Sequence, residues 1–254
     1  MENPAIAMNR RAISLLDLTE LGDDATDADV IKLCEKAHGP YGNTAAVCVW
    51  PRHVALAVEQ LWGTNIRVAT VVNFPTGDEP IDDVVTMTRQ ALADGADEID
   101  LVVPYKSFLA GDVAHATAMI DAVRAEVPAD SHRLKVILET GETGRGVREL
   151  SQLAISHGAD FIKTSTGKTR GVAQIIDTEV MLKVIRDADR PVGLKPSGGI
   201  RQADDARDFI AQADGIMGAG WATPETFRFG ASGLLDALTR GIEGDASATS
   251  TEAY

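Results

Sequence analysis

The feature that most constrains this chain is a repeated alternation. Short apolar runs rich in Val, Ile and Leu are separated by stretches of helical period. Such runs read as strands of a parallel sheet buried on both faces. Eight are expected: 45–50, 66–74, 98–103, 134–140, 160–165, 191–196, 214–219 and 226–230. Between them, 81–92 places Ile81, Val84, Val85, Thr88, Ala91 and Leu92 on one helical face. Two further helices are expected before the first strand, around 8–21 and 28–38. A weak repeat supports the pattern, because a helix end runs through Gly95-Ala96-Asp97, Gly158-Ala159-Asp160 and Ala213-Asp214 into the next run. Eight strands with helical crossovers predict an α/β fold, a (β/α)8 TIM barrel with one or two extra N-terminal helices. The alternative is an open, doubly wound sheet. Residues 1–243 are expected to form one catalytic domain. Residues 244–254, small and polar, read as a mobile C-terminal tail.

Strand alternation assigns the inner face. In 98–103, Ile99, Leu101 and Val103 share one face, and Glu98, Asp100 and Val102 the other. In the next run, Leu134, Val136 and Leu138 oppose Lys135, Ile137 and Glu139. Phe161, Lys163 and Ser165 oppose Ile162 and Thr164, and Gly193 and Lys195 oppose Val192 and Leu194. The uniformly apolar faces should meet the helices, which leaves Asp100, Lys135, Glu139, Lys163 and Lys195 in the interior. Adjacent strands lie about 4.8 Å apart, so Lys163 and Lys195 are expected to be neighbours. A structural ion-pair network is the plain reading of inward charges, and it predicts a balanced, closed set.

Paired lysines offer more. A free lysine titrates near 10.4, so bringing it to about 7 requires roughly 4.6 kcal/mol. A second ammonium about 5 Å away supplies on the order of 3.3 kcal/mol at an effective dielectric near 20. Partial desolvation can supply the rest. A lysine activated by a neighbouring cation is a route to a Schiff-base nucleophile. Asp100 could move protons between substrate and water. Lys135 lies near the start of its strand, toward the stabilising face of a barrel, whereas Lys163 and Lys195 lie near the mouth. These considerations alone do not separate Lys163 from Lys195.

Loops after the charged strands look suited to an anion. Thr164-Ser165-Thr166-Gly167-Lys168 offers hydroxyls, N–H groups and a cation. Ser197-Gly198-Gly199 permits close backbone approach, and Gly230-Ala231-Ser232-Gly233 follows the last strand. Neither a P-loop nor a dinucleotide fingerprint is complete, since Ile162 and Glu149 stand where each needs glycine. The histidines 38, 53, 115, 132 and 157 have no metal-ligand spacing, and those after His38 read as surface residues. A net charge of −14 argues against nucleic acid and anionic membranes as partners. No apolar run spans a bilayer and the start has no signal-peptide core, so a cytoplasmic protein is expected. Cys34 and Cys48, the only cysteines, fit a reducing compartment.

The stretches Leu16–Thr19, Gly42–Ala46, Asn73–Pro75, Asp97–Asp100, Lys135–Gly141, Asp160–Lys168, Gly193–Gly199 and Arg228–Ser232, in order along almost the whole chain, closely resemble the deoxyribose-phosphate aldolase family. The resemblance implies a class I aldolase without metal or cofactor. Its reaction is reversible cleavage of 2-deoxy-D-ribose 5-phosphate to D-glyceraldehyde 3-phosphate and acetaldehyde, in deoxynucleoside catabolism. It implies that Lys163 is the Schiff-base nucleophile. Lys195 would be the neighbour that lowers its pKa, and Asp100 the proton donor and acceptor through water. Thr166, Gly167, Lys168, Gly198, Gly199 and Ser232 match the phosphate-binding stretches. The terminal Tyr254 matches members in which that residue assists proton transfer. Partners are then small sugar-phosphate and aldehyde substrates, with a homodimer as the default assembly. Two rivals remain: another Schiff-base sugar-phosphate aldolase or transaldolase, and a non-catalytic sugar-phosphate binder.

Overall fold

The computed structural model describes residues 3–244. Its main sheet has eight parallel strands: β1 Leu16–Glu20, β2 Ala46–Val49, β3 Arg67–Val72, β4 Glu98–Val102, β5 Arg133–Ile137, β6 Phe161–Lys163, β7 Gly193–Lys195 and β8 Phe229–Ala231. They run in the spatial order β8-β1-β2-β3-β4-β5-β6-β7. Single parallel bridges, Leu194 with Phe227 and Ser197 with Gly230, join β7 to the β8 segment and close the ring. Parallel neighbours require long crossovers, and helices supply them. The architecture is the expected (β/α)8 barrel.

The expected strand count is right, but one member is exchanged. The helix expected over 8–21 is Pro4–Ser14, started by the Asn3 side chain accepting from Ala5 N–H. Residues 16–20 are instead strand β1. Leu16-Asp17-Leu18-Thr19 alternates with period two, and Asp17 is fully buried. In the barrel wall that carboxylate reaches internal cations, which a surface helix cannot give it. Conversely, 214–219 is not a strand, because the helix Ala203–Met217 runs through it and ends at Gly218. Asp214 there receives Arg11 at 2.8 and 3.1 Å and the Ala222 N–H at 3.0 Å. Those bonds fix the segment on the outside. The helices expected at 28–38 and 81–92 are Asp27–Ala37, with a Thr26–Asp29 capping box, and Ile81–Ala93.

The two faces divide as alternation requires. Ile99, Leu101, Val103, Leu134, Val136, Leu138, Ile162 and Leu194 are all fully buried in the apolar shell beneath the helices. Inside, Gly193 has no room for a side chain, since an added Cβ would sit 2.2 Å from Cε1 of Phe161. That aromatic ring fills the lower barrel, with the Arg228 guanidinium 5.7 Å from its centre. His53, expected at the surface, is buried, and its ring faces Asp27 Oδ1 at 3.1 Å and Ala25 C=O at 3.2 Å. Cys34 and Cys48 are free and buried. Among the described residues no helix is long and apolar enough to cross a membrane. The tail beyond Gly244, with Tyr254, lies outside the described residues.

Candidate active site

Strand register brings the inward charges together. Asp100 and Lys135 are directly paired positions of β4 and β5, and Lys163 and Lys195 are directly paired positions of β6 and β7. Lys163 Nζ and Lys195 Nζ both donate to one oxygen, Asp100 Oδ2, at 2.9 and 2.8 Å. The two amines are therefore no further apart than those lengths combined.

Below them the charges continue down the barrel. Lys195 Nζ also meets Asp17 Oδ2 at 2.6 Å. Lys135 Nζ meets Asp17 at 2.8 Å, Glu98 at 2.6 Å and Asp100 at 3.1 Å. Arg228 closes the column, with contacts of 2.6 Å to Asp17 and 2.9 Å to Glu98, and its Nε donates to Pro224 C=O. Every member is at least 95% shielded from solvent.

A purely structural network would balance. Here, among the described residues, Lys135, Lys163, Lys195 and Arg228 face Asp17, Glu98 and Asp100 alone. Lys163 has the fewest compensating contacts, a single carboxylate oxygen. Titration follows from this. Burial, assisted by Lys195, moves Lys163 below the ordinary lysine value against the pull of Asp100. Burial also opposes the charge on Lys195, but Asp100 and Asp17 outweigh it and hold Lys195 well above that value. Lys135 is likewise raised, with burial outweighed by Asp100, Asp17 and Glu98. Asp100, despite burial, is kept ionised far below the carboxylate range by Lys135, Lys163 and Lys195. Of the three candidate lysines, only Lys163 is biased toward the free amine, which separates the pair that sequence reasoning left joined.

Asp17 is absent from the interior charges expected from the sequence, because its segment reads as part of the helix before it. The period-two pattern of Leu16-Asp17-Leu18-Thr19 was the available signal. Glu98 shares the face of Asp100 by the same rule. Glu139, expected among the interior charges, is not in the column. It sits beyond β5 with left-handed backbone, φ 51 and ψ 61.

The rim loops converge above. Thr164 Oγ1 donates to Ser197 C=O and accepts from Ser197 N–H. A Cβ added at Gly198 would lie 3.6 Å from Ser165 Cβ and 3.7 Å from Gly167 Cα, and Ala173 N–H donates to Gly198 C=O. Gly198 and Gly199 have φ of 90 and 77, and a Cβ on Gly199 would press on Val172 at 2.8 Å. Gly230 N–H donates to Pro196 C=O, which brings the third loop alongside. Ser232 stands half-buried just before the helix Leu234–Glu243, whose N-terminus favours anions. Thr166 is buried and supports its own turn by accepting from Lys168 N–H. Lys168 Nζ reaches Asp23 Oδ1 at 2.9 Å, and that pairing lowers the Asp23 pKa. Among the described residues, no group of three or more His, Cys, Asp or Glu is placed to hold a metal ion.

Residues 11–239 match the model of the DeoC/LacD family aldolases. A curated deoxyribose-phosphate aldolase of Agrobacterium fabrum is 49% identical over 246 residues, which is 95% of this chain and 94% of that protein. A crystal structure of a candidate deoxyribose-phosphate aldolase from Coccidioides immitis superposes with a TM-score of 0.80 at 31% identity, covering 91% of this chain and 86% of the other. A second, from Toxoplasma gondii, gives 0.85 at 25% identity, covering 95% and 96%.

Proposed function

Because the chain belongs to the DeoC/LacD family of aldolases, we propose that it cleaves 2-deoxy-D-ribose 5-phosphate to D-glyceraldehyde 3-phosphate and acetaldehyde through a lysine Schiff base, without a metal. The observation that carries this reading is the shared oxygen. Two lysines meet on Asp100 Oδ2, and only one of them is biased toward the free amine.

In this reading Lys163 Nζ attacks C1 of the open-chain sugar, and loss of water gives the protonated imine. Lys195, held cationic, supplies the proton for that dehydration. Asp100, held as a carboxylate, faces the positive imine and relays protons through water. The proton on the C3 hydroxyl departs and the C2–C3 bond breaks. Its electron pair moves onto C2 and into the imine as an enamine. Protonation of C2 and hydrolysis release acetaldehyde and restore the amine. Thr166, Gly167, Lys168, Gly198, Gly199 and Ser232 are proposed to hold the phosphate, with Thr166 acting through the turn it supports. Asp23 then stands in for an anion on Lys168.

The carboxylates of the column are already engaged by cations, which supports a mechanism driven by amines. Incubation with acetaldehyde and borohydride should leave a reduced adduct mapping to Lys163, and EDTA should leave turnover unchanged. An adduct on Lys195 or Lys135 would overturn the role assignment, and loss of turnover in EDTA the metal-free one. The free, buried cysteines support a reducing, cytoplasmic setting. We propose a homodimer, the commonest homo-oligomer, which sedimentation equilibrium checks directly; a monomer or tetramer mass would exclude it.

A further inference from the structure

Glu139 is a buried carboxylate that the catalytic column does not use. It is fully buried, and its backbone lies in the left-handed region at φ 51, where a glutamate is uncommon and strained. An asparagine or aspartate would suit that backbone better, but its side chain would be one methylene shorter. The reach is what the site uses. Glu139 Oε2 accepts from Thr166 N–H at 3.1 Å, and Oε1 accepts from Thr169 Oγ1 at 3.2 Å. The same carboxylate thus holds both feet of the 166–169 turn, whose apex is Gly167 and Lys168.

The chain around Glu139 is pinned to the same loop. Leu138 N–H donates to Lys163 C=O, and Thr140 N–H to Thr164 C=O. Two residues on, an added Cβ at Gly141 would lie 2.5 Å from Gly171 Cα, so the two segments touch backbone to backbone. Gly171 N–H in turn donates to Thr169 Oγ1. One buried acid therefore ties the loop at two places, and its chain neighbours pin the same loop beside it.

We propose that Glu139 is a positioning residue. By drawing Thr166 and Thr169 inward it presents the N–H groups and cation at the turn apex to the substrate phosphate, and so sets the preference for phosphorylated over unphosphorylated sugar. This rests on the function proposed above, and it adds a residue that does not itself touch substrate. Glutamine can replace both bonds, its carbonyl accepting from Thr166 N–H and its amide donating to Thr169 Oγ1. Alanine can replace neither.

The test compares 2-deoxyribose 5-phosphate with 2-deoxyribose in wild type, Glu139→Ala and Glu139→Gln, with competitive inhibition by inorganic phosphate as a second readout. In Glu139→Ala, KM for the phosphorylated sugar and the inhibition constant of phosphate should both rise about tenfold or more, with kcat changed by less than about threefold. Glu139→Gln should recover most of the difference. A fall shared equally by both sugars, or an unchanged phosphate constant, overturns the proposal. If Glu139→Ala fails to fold, Thr169→Val removes one of the two bonds. It should raise the same KM by a smaller factor, and a folded Thr169→Val with unchanged KM overturns the proposal as well. A wild-type protein that cannot cleave the phosphorylated sugar would instead sink the function itself, so the two failures are distinct.

Discussion

Lys163→Met is expected to abolish turnover while leaving the barrel at least as stable as the wild type. Loss of the proposed attacking amine would remove the covalent route altogether, so kcat should fall on the order of 10⁴-fold or more. The stability half follows from titration. Lys163 is displaced below its ordinary value of 10.5 in the folded chain, so its charged form is disfavoured there. Below the folded pKa both states carry the proton, and the full penalty opposes folding. As pH rises from the folded pKa toward 10.5, the native state gives up its proton first and the penalty fades. Methionine, an unbranched side chain of similar length, removes the penalty and should raise the midpoint of denaturant unfolding, most clearly near neutral pH. Above about 10.5 the advantage should vanish. Urea melts of both proteins at pH 7 and pH 10.5, alongside turnover, check this. A strongly destabilised Lys163→Met would mean that the lysine is a structural cation, and the column would lose its catalytic reading.

Asp17→Asn should have the opposite signature, a large loss of stability with lowered activity following from it. Asp17 is the junction of the column, meeting Lys135 at 2.8 Å, Lys195 at 2.6 Å and Arg228 at 2.6 Å, all inside the barrel. Removing one side of a buried ion pair typically costs about 3–5 kcal/mol, because the partner charge is left uncompensated. The pH dependence has a definite sign. Burial opposes its charge, but Lys135, Lys195 and Arg228 outweigh it and hold the folded carboxyl well below the ordinary 3.8. Its contribution is therefore fully present above 3.8 and lost as pH falls toward the folded value. The gap between wild type and Asp17→Asn should stay constant from neutral pH down to about 4 and narrow below it. Chemical denaturation across that range measures the gap directly. A loss under about 1 kcal/mol would show that Glu98 and Asp100 suffice for the four cations.

Much of this was legible in the sequence because barrel strands obey a strict two-residue alternation. Asp100, Lys135, Lys163 and Lys195 were placed inside by that rule alone, and the pairing of Lys163 with Lys195 followed from strand adjacency. Two things were hidden. The strand at 16–20 follows a helix after a single residue, so its alternation merged with the helical run before it. The segment 214–219 has the apolar content of a strand, but Asp214 commits it to Arg11 and Ala222, contacts more than 200 and 8 residues away in sequence respectively. Alternation and spacing did not separate Lys163 from Lys195, which only the family resemblance did. Physically the difference depends on which amine reaches Asp17, a residue whose strand was hidden in the helical run before it. Glu139 was read as one more interior charge because alternation cannot register that the chain turns left-handed at that residue.

The column described above holds one more cationic side chain than carboxylate. Electroneutrality of the dry interior is met when a single amine sheds its proton, and the arrangement of contacts decides which. The proposed nucleophile is thus biased toward its free form by the folding of the barrel itself. Substrate arriving at the mouth meets an amine already inclined to give up its proton, with no prior rearrangement needed to make it so.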